Sequence, residues 1–333
     1  MGAPGQVTLK YLAKELGLNV STVSRVLNDP AGANSKWAAP ATTERILALS
    51  KELGYSRNPH AASLRTSRSD TVGVIVPRLQ DFVLATIYEG IDEAATEHGL
   101  LALVANSLDD ASAQRVKAER LLNRRADGLI FGDAHLQEPY LNELRGRGIP
   151  LVLVSRTSAG HVSVTCDDYA GGRLMAEHFL AAGRTSFGLI AGTPTTSTSR
   201  DRSAGFLDVL ADAGHTVPEQ WLIHGGFDAH SGQEAAARIL AAGGAPEAIF
   251  AVNDFAAIGA IGVLREAGLN VPGDVAVGGF NDTPLAGGVN LTTVRSPMHE
   301  IGRQGLLALR GMMDGAAVDS VRLAPELVVR GSG

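Results

Sequence analysis

Apolar positions first recur at helical spacing. Leu9, Leu12, Ala13 and Leu16 make one stripe, with Thr8 ahead of it as a cap and Gly17 behind it as a left-handed stop. Val20, Val23, Val26 and Leu27 repeat the spacing after Asn19, a second cap, so only Leu18 and Asn19 separate Gly17 from the next helix. A third pattern runs from about Pro40, suited to a first helical turn, to Gly54, with Ile46, Leu49 and Leu53 inward. Two short helices joined by a tight turn are the helix-turn-helix pattern. From Thr71 the rhythm changes. Apolar runs at Val72–Val76, Leu101–Ala105, Gly128–Phe131 and Leu151–Val154 alternate with helical patterns at Phe82–His98, Asp110–Asn123 and near Leu141. A second series starts at about Ala170, with a helix to Ala181. It continues as strand Ser186–Ile190, helix Arg202–Ala213, strand Trp221–His224 and helix Ser231–Leu240. Strand Ala248–Ala251, helix Phe255–Glu266 and strand Val275–Phe280 complete it. Repeated βα units predict parallel sheets covered by helices, and two series predict two lobes with a cleft at the carboxyl ends of their strands.

Composition narrows the class. The 333 residues are 45% hydrophobic and 19% charged, which excludes disorder along the whole chain. No apolar run approaches the roughly 18 residues a spanning helix needs, so no membrane partner is expected. The single cysteine, Cys166, excludes an internal disulfide, and no apolar signal segment is seen near the N-terminus. A reducing cytoplasm is the expected location. The net charge of −6 is unevenly placed: residues 1–69 hold nine Lys/Arg and four Asp/Glu, a formal +5, leaving −11 for the rest. A small basic head on an acidic body points to a polyanion bound at one end, with chance fluctuation as the alternative. The chain lacks G-x-G-x-x-G, a P-loop, G-x-S-x-G and H-E-x-x-H, and its nine His show no ligand spacing. An enzyme is not expected, nor any cofactor or metal. The stronger rival is a solute-binding protein without DNA-reading activity, which the body alone would suggest.

The outward face of the second helix carries Ser21, Thr22, Ser24, Arg25 and Asn28. Short hydrogen-bonding side chains and one guanidinium let a helix lie deep in a major groove, although a polar solvated helix in a small bundle would read the same. The residues also carry a resemblance. Val7-Thr8-Leu9-Lys10-Tyr11-Leu12-Ala13, Gly17, and Ser21-Thr22-Val23-Ser24-Arg25-Val26-Leu27-Asn28 resemble the head of the lactose-repressor (LacI/GalR) family of transcription factors. The resemblance implies that Val20 and Ser21 vary operator choice, that Arg25 reads a base, and that Thr8, Thr22, Ser24 and Asn28 mainly hold phosphates. Two departures stand out. Tyr11 replaces the family's usual Asp, and the connection from Asn28 to Pro40 is several residues longer than usual. Trp37 in that connection either packs on the bundle, the favoured reading, or lies against the DNA backbone beside Lys36.

Residues 58–69 begin with a cap and a first-turn proline, Asn58-Pro59, and continue as a piece too short to be a stable helix by itself. Seen alone it reads as a plain linker. The resemblance implies a hinge helix, paired with a second copy in the minor groove, where Leu64 wedges into the central base step and Arg65 enters beside it.

The resemblance continues through the body in Arg202-Ser-Ala-Gly205-Phe206, Phe250-Ala-Val-Asn253-Asp254 and the run Pro272–Phe280. It implies an α/β fold: a helix-turn-helix head (1–57), a hinge (58–69) and a two-lobed periplasmic-binding-protein-like core (70–333). Lobe 1 would take about 70–165 and 297–325, and lobe 2 about 166–296 and 326–333, with the helix near Met298–Met312 returning to lobe 1. By position, Arg202, Asn253 and Asn281 would face an effector between walls at Phe227 and Phe82. Arg78, Gln80, Asp81, Arg156 and Asp167 would lie near its rim or floor. Asn281 stands where many sugar-binding relatives have Asp, and Arg78 where small or acidic residues are usual. These two suggest an effector with a carboxylate or phosphate, such as a sugar acid or sugar phosphate, beside the plain sugar. The implied protein is a homodimeric regulator, expected to be a repressor, binding a pseudo-palindromic double-stranded operator.

Overall fold

A computed structural model of the chain describes residues 7–29, 35–55 and 68–333. The expected hinge helix with Leu64 and Arg65, and the middle of the lengthened connection, lie outside the described residues. The chain divides into a head, residues 1–69, and a body, residues 70–333.

In the head, α1 (Leu9–Leu16), α2 (Val20–Leu27) and α3 (Pro40–Glu52) form where the apolar spacing puts them. The Thr8 hydroxyl accepts from the Tyr11 N–H at 3.2 Å, and the Asn19 side-chain oxygen accepts from the Ser21 N–H at 2.9 Å. Gly17 closes α1 at φ 67°, a conformation that costs a residue without Cβ little. Leu12, Ala13, Val23, Val26 and Ile46 fill the centre of the bundle.

The body holds two six-stranded sheets. The first combines β1 (Thr71–Val76), β2 (Leu101–Asn106), β3 (Gly128–Phe131), β4 (Leu151–Val154), β5 (Ser163–Cys166) and β11 (Val321–Leu323) in the order β11-β5-β4-β3-β1-β2. Around it lie α4 (Phe82–Glu97), α5 (Ala111–Asn123), α6 (Pro139–Gly146) and α12 (Met298–Met313). The second combines β6 (Phe187–Gly192), β7 (Leu222–His224), β8 (Ala248–Ala251), β9 (Ala276–Asn281), β10 (Thr292–Arg295) and β12 (Glu326–Val328) in the order β12-β10-β9-β8-β6-β7. Its helices are α7 (Asp168–Ala181), α8 (Ser197–Asp212), α9 (Ala229–Ala241), α10 (Asp254–Glu266) and the short α11 (Pro284–Gly288). All pairings are parallel except β10 with β12. The chain crosses between the sheets after β5, after β10 and between β11 and β12, and α12 packs on α4 of the first sheet.

Among the predicted elements, α8 and β7 are built differently at their starts. Helix α8 begins at Ser197, five residues before the apolar periodicity starts at Arg202. Its first turn is polar and buried, and is capped by Thr196, whose hydroxyl accepts from the Ser199 N–H. Trp221 lies in a short 3-10 turn, Glu219–Trp221, and the strand behind it is only Leu222–His224.

Helices α7 and α8 cross at Gly172 and Gly205. A Cβ on Gly205 would lie 2.0 Å from the Tyr169 carbonyl oxygen, and backbone cannot yield as a flexible side chain would. Gly205→Ala is expected to cost about 1–3 kcal/mol through forced separation of the helices. Urea unfolding checks this, and an unchanged midpoint would show that the crossing has slack.

Burial also gives the body a pH dependence. The carboxyls of Asp133 and Asp254 are 1% and 0% exposed, and burial pushes both up to about 6. Their folded values then lie above the unfolded value of about 3.9. The native state therefore holds their protons over a pH range in which the unfolded state has lost them. Stability is expected to fall as pH rises from about 4 to about 6, by on the order of 2–3 kcal/mol per group. Asp133→Asn should flatten part of that slope in chemical unfolding across this range. A slope identical to wild type would remove Asp133 from the effect.

Candidate DNA-reading face and effector cleft

Helix α2 turns Val23 and Val26 into the bundle, which leaves Val20, Ser21, Arg25 and Asn28 exposed and Thr22 and Ser24 half-buried. Several of these polar groups are engaged locally. Ser21 Oγ donates to Asn19 Oδ1 at 2.8 Å, and Asn28 Nδ2 donates to the Ser24 carbonyl at 2.6 Å and to Ser24 Oγ at 3.2 Å. Thr8 Oγ1 spends one lone pair on its cap and keeps its O–H for an outside acceptor. Arg25 is the longest side chain on the face. Its guanidinium carbon lies 4.9 Å from the centre of the Trp37 ring, with Lys36 Nζ at 5.3 Å from the same ring. Trp37 does not enter the bundle core: it is 44% exposed, with two cations against its ring.

In the body a cavity of about 520 Å³ opens between the two sheets. The first sheet's side contributes Arg78, Gln80, Asp81, Asp109 and Arg156, and the second sheet's side Thr193, Phe227, Asp228 and Phe255. Arg156 is the anchor. It is 6% exposed, donates to Asp109 Oδ1 at 2.7 Å, and points its cation at the Phe227 ring centre 5.9 Å away. Asp81 caps α4 by accepting from the Val83 N–H at 2.9 Å, and burial raises its pKa against the pull of Arg156. Asp228 is lowered, chiefly by the Ser231 N–H it accepts at 2.7 Å and less by the nearby Arg78. The lining thus holds three carboxylates and two guanidiniums between aromatic faces.

Five of the ten residues expected at the effector line this cavity: Arg78, Gln80, Asp81, Arg156 and Phe227. The other five lie beside or behind it. Phe82 stacks on Phe255 with ring centres 6.3 Å apart. Asp167 caps α7 through the Ala170 N–H at 3.0 Å. Asn253 caps α10 through the Ala256 N–H and donates to the Phe227 carbonyl. Arg202 is 4% exposed, with Nε on Asp168 at 2.7 Å and Nη1 on the Val252 carbonyl at 2.7 Å, and its cation sits 3.7 Å over the Phe280 ring. Asn281 ends β9 at φ 111°, 3% exposed, and its Oδ1 has no hydrogen-bond partner among the described residues. Asp109, Asp228 and Phe255 are lining residues that the sequence reading does not anticipate. Asp109 follows Leu108 in a left-handed pair (φ 60° and 56°) that no glycine announces. Asp228 stands at a cap position ahead of α9, which is a usable signal. Cys166 is buried, and burial pushes its thiol up to about 12, which holds it in the thiol form. Among the described residues no cluster of three or more His, Cys, Asp or Glu could hold a metal ion.

The chain is similar to known bacterial regulators over nearly its whole length. Residues 8–58 match the family model "Bacterial regulatory proteins, lacI family", and residues 176–333 match "Periplasmic binding protein-like domain". The HTH-type transcriptional regulator DegA of Bacillus subtilis is 31% identical over 338 residues, covering 98% of both chains. The HTH-type transcriptional repressor PurR of Photobacterium profundum is 30% identical over 332 residues, again 98% of both. Among solved structures, the lac repressor dimer bound to operator and the anti-inducer ONPF superposes with a TM-score of 0.89 at 27% identity, covering 98% of this chain and 99% of that one. The transcriptional regulator CelR–cellobiose complex gives 0.74 at 29% identity, covering 98% and 100%. With relatives at this identity along nearly its whole length, the chain belongs to the lacI family of bacterial regulatory proteins and is a DNA-binding transcriptional regulator, not an enzyme.

Proposed function

We propose that the chain is a cytoplasmic repressor whose dimer reads a pseudo-palindromic operator and is controlled by a sugar-like polyol held between the lobes of each body. The exposed polar face of α2, on the same chain as a mixed-charge aromatic cleft, carries this reading. On the DNA side, Arg25 reads a base edge, Val20 and Ser21 tune the choice of base, and Thr8, Thr22, Ser24 and Asn28 hold phosphates. Leu64 and Arg65, outside the described residues, are assigned to the minor groove by resemblance alone. The domain limits 1–57, 58–69 and 70–333, with the lobes divided near 165, 296 and 325, are the corresponding division of labour.

The cleft favours a neutral polyol over an anion. Asp81, Asp109 and Asp228 outnumber Arg78 and Arg156, and Arg156 is already matched by Asp109. Carboxylates accept from hydroxyls, guanidiniums donate to them, and Phe227 and Phe255 offer flat apolar faces to ring C–H groups. Asn281, one of the two hints of an anionic effector, is not part of the lining. Arg202, Asn253, Phe82 and Asp167 would then shape the walls, and Asn281 Oδ1 would keep an unused acceptor behind them.

The test is to titrate neutral mono- and disaccharides, sugar acids and sugar phosphates into the protein–operator complex. A neutral saccharide is expected to change operator affinity by about 5- to 150-fold, the usual size of such coupling. Arg156→Ala should lose that response while operator binding persists, because Asp109 is 41% exposed and can be rehydrated. A response confined to acids or phosphates would overturn the polyol reading.

A further inference from the structure

The lengthened connection after α2 sets an indole beside the guanidinium best placed to read a base. Ser35, 7% exposed, anchors the connection: its hydroxyl donates to Asp29 Oδ2 at 2.8 Å and accepts the Trp37 N–H at 3.3 Å. Pro40 then starts α3, so Trp37 is tied at both sides. Its ring lies against Arg25 on α2 and against Lys36, its own neighbour in sequence. Among the described residues no carboxylate or carbonyl takes an N–H of Arg25.

We propose that Trp37 is a positioning residue for DNA reading, which orients the Arg25 guanidinium for paired donation to a base edge and thereby sets specificity at one operator position in each half-site. The proposal rests on the DNA-reading role of α2. Arginine carries a large rotamer entropy that a base contact must quench. A ring beside the guanidinium restricts that freedom before binding, and a guanidinium face-on to the ring would keep its in-plane N–H donors for outside acceptors. The pair of acceptors it suits is guanine O6 and N7, the most frequent partners of arginine in the major groove. Lys36, on the same ring and one residue earlier, supplies a point charge for a neighbouring phosphate, which adds affinity without sequence information.

The experiment uses the full-length protein and an operator selected from random duplex DNA, with each variant's helicity and melting followed as a check on folding. Affinities are measured for the selected operator and for operators altered at each symmetric position. Trp37→Leu is expected to reduce discrimination at one symmetric position by about 2- to 5-fold per half-site, the size of an exposed cation–π contact, with the slope of log K against log salt unchanged. Trp37→Phe should retain most of that discrimination. In an Arg25→Ala background Trp37→Leu should change nothing further at that position. Lys36→Ala should do the reverse of Trp37→Leu, making the salt slope shallower by about 0.9 for each phosphate no longer neutralised, with base discrimination intact. Loss of affinity equal for every operator, or full discrimination in folded Trp37→Leu, would overturn the positioning role. Selective binding by the wild type would leave DNA reading standing in either case.

Discussion

Arg202→Leu is expected to lower the stability of the body by about 3–5 kcal/mol, the usual cost of removing one partner of a buried ion pair. Arg202 and Asp168 are each 5% exposed at their side chains and lie 2.7 Å apart. Burial pushes the Asp168 pKa up to about 6, and Arg202 is the chief group opposing that rise. Removing the cation strands a carboxylate with little water, and it also frees the Val252 carbonyl and uncovers the Phe280 ring. In a body of this size the melting temperature should fall by roughly 6–20 °C. The double change Arg202→Leu with Asp168→Leu should regain much of the loss, since an apolar pair in place of a buried ion pair is often neutral. Calorimetry on the three variants checks this, and a single variant as stable as wild type would contradict the pairing. A loss of effector response in Arg202→Leu would follow from the moved wall near Asp81, whose carboxyl senses the Arg202 charge.

Arg25→Ala is expected to weaken operator binding by about 2–6 kcal/mol in the dimer, that is, about 1–3 kcal/mol for each of two heads. The loss should fall on the preferred operator and shrink for operators already altered at the position Arg25 reads. Effector affinity, measured on free protein, should not change, because Arg25 belongs to the head and the cleft is lined by the body alone. A loss spread evenly over all sequences would make Arg25 a phosphate contact.

The head is legible in the sequence because its signals are local. Thr8, Gly17 and Asn19 act within two to four residues of themselves, and both caps and the left-handed stop stand where the spacing places them. The strands are legible because parallel strands covered on both sides are nearly all apolar, as in Leu151–Val154. The start of α8 is hidden by its polar first turn, whose burial comes from tertiary neighbours. The cleft is half legible for the same reason. Arg156 and Phe227 line the cavity, but Arg202 finds Asp168, 34 residues away, and Asn253 spends its amide on a helix start. Asp109 enters through a left-handed turn that its composition does not signal. Sequence favours the bundle for Trp37 because large aromatics usually bury. Here two cations cover the ring on the surface.

The most direct measurement is selection of binding sites from random duplex DNA by the purified protein, followed by sequencing of the enriched pool. A dimer reading DNA through two α2 helices predicts a symmetric site, with one strongly preferred base in each half attributable to Arg25. Failure to enrich any symmetric site, with or without saccharides, would contradict the DNA-reading role and leave a solute-binding body with a silent head.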